Sequence, residues 1–88
     1  YLAWFNLGAL TYSQGYQYMK KKDDENDQAS ADKQYQKGIV FIRASLPYFE
    51  KAFAINPHDH EILDAILQIC NIIGEEEKYE RYKAFKYR

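Results

Sequence analysis

Apolar residues recur along this chain at three- and four-residue steps, interrupted by short polar breaks, the pattern of successive amphipathic helices. Over residues 1–22, Trp4, Leu7, Gly8, Thr11, Gly15 and Tyr18 fall on one stripe. A second stripe, Tyr35, Gly38, Ile42, Ser45, Leu46, Phe49, Ala52 and Phe53, keeps one phase up to Ile55. Pro47 lies inside it, removing a backbone hydrogen bond and forcing a bend, but the unbroken phase predicts one bent helix rather than two. Leu63, Ile66, Leu67, Cys70 and Ile73 form a third stripe, and Tyr79, Tyr82 and Phe85 or Lys86 a fourth. The pattern predicts an all-α fold of two stacked antiparallel hairpins, with helices over 1–22, 30–55, 59–73 and 75–88.

The breaks have their own chemistry. Ser30 is the expected N-cap of the second helix, and Asp59 that of the third, with Glu61 in its first turn. Pro57 pushes Asn56 toward an extended conformation and stops the second helix. Gly74 ends the third. The fourth opens on glutamates and closes on Lys83, Lys86 and Arg88, an order that suits the helix dipole. Lys20, Lys21 and Lys22 do the same for the end of the first.

Composition narrows the function classes. The 88 residues carry a formal net charge of −1, which argues against nucleic acid, since that calls for a basic stripe. No apolar run reaches the roughly 20 residues of a membrane span. The chain opens on Tyr1 with no signal-peptide pattern, so a piece of a longer protein is expected. Nine Tyr, five Phe and one Trp fall mostly on the inner stripes, as core wedges.

The glycines of the first two stripes predict a register. If those helices fold back about residues 26 and 27, Gly8 meets Ser45, Thr11 meets Ile42, Gly15 meets Gly38, Trp4 meets Phe49, and Tyr18 meets Tyr35. Glycine inside a helix costs about 1 kcal/mol relative to Ala, and close approach of a second helix is the expected compensation.

Together these features resemble a tetratricopeptide repeat array. Trp4, Leu7 and Gly8 match that family's opening W-x2-L-G motif, with Thr11 where an aromatic is usual and Tyr12 one step late. Ser45, Phe49, Ala52 and Pro57 match its closing half, and Leu63, Ile66, Leu67, Cys70, Gly74 and Tyr79 look like a weaker second repeat. The resemblance spans 1–88 as one domain, an extended first repeat over 1–58 and a terminal one over 59–88. The first exceeds the family's usual length of about 34 by about 25 residues, which makes its hairpin project beyond the stack.

The resemblance implies a non-catalytic scaffold that binds a polypeptide along a concave face. By register that face carries Phe5, Ala9, Tyr12, Ser13, Glu61, Asp64, Gln68 and Asn71. Phe5, Ala9 and Ala65 replace part of the family's carboxylate clamp, so the mixed face suits a partner with basic and aromatic side chains. Leu2 and Phe5 could equally pack on an upstream repeat. The alternative is structural: Tyr12, Tyr16, Tyr35 and Phe41 mediate self-association or docking within the same protein.

Other candidate chemistry is thin, and no cofactor or metal is expected. The acidic stretch Asp23 to Ser30 lacks the glycine and closing Glu of a calcium loop and reads as a solvated turn. His58-Asp59-His60 offers two histidines that do not share a helix face. Cys70 lies on an apolar stripe and reads as a core residue, whereas a reactive thiol needs an exposed, electropositive setting. Compartment is left open.

Overall fold

The computed structural model describes residues 2–22 and 27–86. They form four helices: α1 (Leu2–Lys22), α2 (Gln28–Ile55), α3 (His60–Ile73) and α4 (Glu76–Lys86). Packing runs chiefly between successive helices, α1 on α2, α2 on α3 and α3 on α4. The all-α pair of hairpins is as the stripes predict. At about 1.5 Å per residue, the 28 residues of α2 set the long axis of a 45 × 26 × 15 Å body.

The turns follow local chemistry with one correction. Asp59 Oδ1 accepts from the amides of Glu61 and Ile62 at 2.9 and 3.3 Å, and Gly74 closes α3 at φ 77°, ψ 26°. The cap of α2 is Asp27 rather than Ser30. Its carboxylate accepts from the Ala29 amide at 3.2 Å, while Ser30 lies inside the first turn. A carboxylate at the positive end of a helix adds charge to the hydrogen bond, which a hydroxyl cannot. Gln28, Ala29 and Ser30, expected in the loop, are therefore helical, and residues 23–26 of that loop fall outside the described residues. Similarly α4 begins at Glu76, with Glu75 outside it donating its amide to the Cys70 carbonyl at 2.9 Å. α2 is one helix through Pro47.

The core sits between α2 and α3. Ile42, Leu46, Phe49, Ala52 and Phe53 pack with Ile62, Leu63, Ile66, Leu67, Ile69 and Cys70. Ser45 is buried among them and satisfies its hydroxyl by donating to the Ile42 carbonyl at 2.6 Å. The third stripe is wider than expected: Ile62 and Ile69 are fully buried, and Ile73 only half-buried. The reason is that α3 has a helix on either side, so its apolar arc covers more than one stripe. Toward the loop end, residues 28–37 of α2 bury only Ala31.

α1 contributes little to that core. Over residues 2–21 only Gly8 and Gly15 are buried, with Trp4, Phe5, Tyr12 and Met19 half-buried against the cluster. Leu7, placed on the inner stripe by its spacing, is 43% exposed. The register holds at its centre, where the backbones of Gly15 and Gly38 meet. Around it the side chains make further contacts beyond the expected pairs: the Phe49 ring lies against Gly8, Trp4 stacks on Tyr48 at 6.2 Å, and Tyr18 stacks on Phe41 at 5.5 Å. A large ring against a glycine fills space that a small-to-small pairing would leave empty.

Candidate interaction surface

The residues expected to bind a partner lie on two elements, α1 and α3. On the first, Phe5 packs edge-on against Phe49, centroids 5.7 Å apart, and Tyr12 is half-buried two turns along. Burial pushes the Tyr12 phenol up, and neighbouring Tyr16 adds to it. Ala9 and Ser13 are exposed beside them. Glu61, Asp64, Gln68 and Asn71 line the solvent side of α3, all exposed. Asp64 approaches Lys86 of α4 at 3.7 Å, a loose surface pair. Asn71 borders a depression of about 340 Å³ with Cys70, Gly74, Glu76, Tyr79 and Glu80. Thus Asp64 and Asn71 adjoin α4, while Phe5 and Tyr12 adjoin α2.

A ledge between α2 and α4 fixes the second hairpin. Glu50 accepts from Lys78 Nζ at 3.0 Å through one oxygen and from the Tyr82 hydroxyl at 2.9 Å through the other. Phe53 meets the Tyr82 and Phe85 rings edge-on at 5.7 and 5.4 Å. Burial, then the hydrogen bond to Glu50, pushes the Tyr82 phenol up to about 12. Cys70 beneath is buried; desolvation and then the Glu50 charge push its thiol up, which is the setting of an unreactive core cysteine.

A separate group of rings and lysines lies along one edge of the first hairpin. Its two stacked ring pairs, Trp4 with Tyr48 and Tyr18 with Phe41, carry lysines: Lys51 Nζ is 4.3 Å from the Trp4 centroid, and Lys21 and Lys37 are 5.3 and 5.9 Å from that of Tyr18. A depression of about 240 Å³ opens there among Gln14, Gln17, Tyr18, Lys21 and Phe41.

No family model, characterised protein or solved structure matches the chain. Its surface must therefore be read from its own chemistry. No helix is long and apolar enough to cross a membrane among the described residues.

The lysine-topped edge escapes a reading built on inner stripes alone. A signal for it existed: Lys37 and Lys51 stand two heptads apart on α2, in step with Phe41 and Tyr48.

Proposed function

We propose that the chain is a non-catalytic module that binds a polypeptide partner through its first hairpin, built as a tetratricopeptide-like repeat pair. The observation that carries this reading is the exposure of α1. Leu2, Leu7 and Leu10 stand 61%, 43% and 61% exposed on a helix that packs on α2. Leu7 and Leu10, one turn apart on the same flank, form a small contiguous apolar patch, and such a patch is a mark of a binding surface. The serial hairpin packing and the Asn56-Pro57-His58-Asp59 turn support the repeat-like reading. The buried thiol of Cys70 supports a non-catalytic one.

The test is a selection of peptides displayed against the immobilised chain, with hits titrated calorimetrically. A ligand of this module loses affinity to Leu7→Ser/Leu10→Ser, both changes being at exposed positions. Failure of selection, or hits indifferent to both changes, overturns the reading. Self-association is the second reading, favoured by Tyr16, 55% exposed beside Tyr12. Sedimentation velocity separates the two: a concentration-dependent dimer lost on Tyr16→Ser supports self-association.

A further inference from the structure

Two heptad-spaced stripes run side by side along the lysine-topped edge. On α1 the stripe is Trp4, Leu7, Thr11, Gln14, Tyr18 and Lys21, and on α2 it is Lys37, Phe41, Ala44, Tyr48 and Lys51. The ring pairs stand toward its two ends, with the smaller Thr11 and Ala44 between them in sequence. We infer that this edge seats an amphipathic helix of a partner polypeptide, with acidic residues bracketing its apolar stripe. The inference rests on the polypeptide-binding reading above and adds the face, the conformation and the charge of the partner.

Charge identifies the sign. The two stripes carry Lys21, Lys37 and Lys51 and no acidic residue, and the acidic residues within the two helices are Asp32 and Glu50. Glu50 is engaged with Lys78 and Tyr82. Among the described residues, neither Lys21, Lys37 nor Lys51 has a carboxylate within ion-pair distance. A basic edge inside a chain of net charge −1 is a local complement to an acidic partner.

Spacing identifies the conformation. Lys37 and Lys51 lie two heptads apart, about 21 Å along the axis, as do Trp4 and Tyr18. Stripes of that period interlock with a third helix of the same period. Nucleic acid fits less well. The rings stack on each other and carry lysines, so a base must displace those contacts before it can stack. A carboxylate meets the ammonium groups where they already stand.

The experiment titrates the chain with a capped peptide of about 21 residues, three heptads with Leu at the seam and Glu flanking it at both ends. A counterpart carries Lys at the flanks. Trp4 is the sole tryptophan, so its emission reports directly on the edge. The Glu peptide is expected to shift Trp4 emission and to bind about tenfold more tightly than the Lys peptide. Lys37→Glu/Lys51→Glu, both at exposed positions and verified as folded by circular dichroism, should reverse that preference. Equal affinities, an unmoved Trp4 emission or an unchanged preference overturns the inference. So does oligothymidylate binding more tightly than the Glu peptide, or a dimer without peptide that the double reversal dissolves. Selected peptides that depend on Leu7 and Leu10 but ignore both lysines overturn this inference alone, leaving the module reading intact.

Discussion

Gly15 and Gly38 each lie against the other's carbonyl oxygen. A methyl group on Gly15 would stand 2.7 Å from the Gly38 oxygen, and one on Gly38 2.8 Å from the Gly15 oxygen. Neither obstacle is a side chain that can turn away. Gly→Ala returns about 1 kcal/mol of helix propensity, and forced overpacking costs about 1–3 kcal/mol. Gly15→Ala and Gly38→Ala should therefore both destabilise, and Leu at either position should cost more. Gly8→Ala, whose nearest obstacle is the Phe49 ring at 3.0 Å rather than backbone, should be the mildest of the three. Urea denaturation ranks them, and a neutral Gly15→Leu would contradict the close approach.

The caps give a second ordering. Asp59→Ala removes two amide partners and should cost about 1–2 kcal/mol, Asp27→Ala, with one, nearer 0.5–1 kcal/mol. Ser30→Ala should stay within about 0.5 kcal/mol. Thermal melts that place Ser30 above Asp27 would restore the hydroxyl as the cap.

Tyr82 makes stability depend on alkaline pH. Its phenol is raised from 10.0 to about 12 in the folded chain, so above pH 10.0 the unfolded chain loses this proton before the folded one does. The stabilisation is complete below the unfolded value and is lost as pH rises through the folded one. Denaturation midpoints should fall between about pH 10 and about pH 12, and Tyr82→Phe should shrink the fall attributable to this group. An identical pH profile for the two proteins would disprove the linkage.

Glu50→Gln weakens the ledge that ties α4 down. Because Lys78 and Tyr82 remain partly solvated, the loss should be about 1 kcal/mol. Amide exchange should quicken in α4 more than in α3. Uniform acceleration across both helices would show that the ledge does not hold α4 in particular.

Cys70 should resist labelling by a thiol reagent until the chain unfolds, since its sulfur is buried and its thiol is pushed up. Cys70→Ser buries a hydroxyl in its place and should cost about 1–3 kcal/mol. Rapid modification of the folded protein would contradict this packing.

What could be read from the sequence was local. Asn56, Pro57, Asp59 and Gly74 act within a few residues of themselves, and the structure places those breaks where their chemistry does. The Gly15 and Gly38 meeting was also legible, because paired small residues on facing stripes leave few registers. Leu7 was not, since its phase fits an inner stripe while α1 packs chiefly on α2, leaving that flank uncovered. Ile62 and Ile69 were missed because the width of the buried arc of α3 depends on how neighbouring helices pack around it, which periodicity within α3 does not specify. Of the implied concave face, Glu61, Asp64, Gln68 and Asn71 are exposed on α3, and Phe5 and Tyr12 spend part of their surface on the hairpin itself. The aromatic rings flanking the lysine-topped edge depend on pairings across helices, which periodicity within one helix does not specify.

The uneven distribution of the core has a consequence for cleavage and grafting. Residues 28–37 bury a single alanine, while the cluster uniting α2 with α3 begins at Ile42. Those first turns of α2 can open, be nicked by a protease or accept inserted sequence while the remainder stays folded. The hairpin's far end, short of Lys37, is thus an outrigger, replaceable without dismantling the hull.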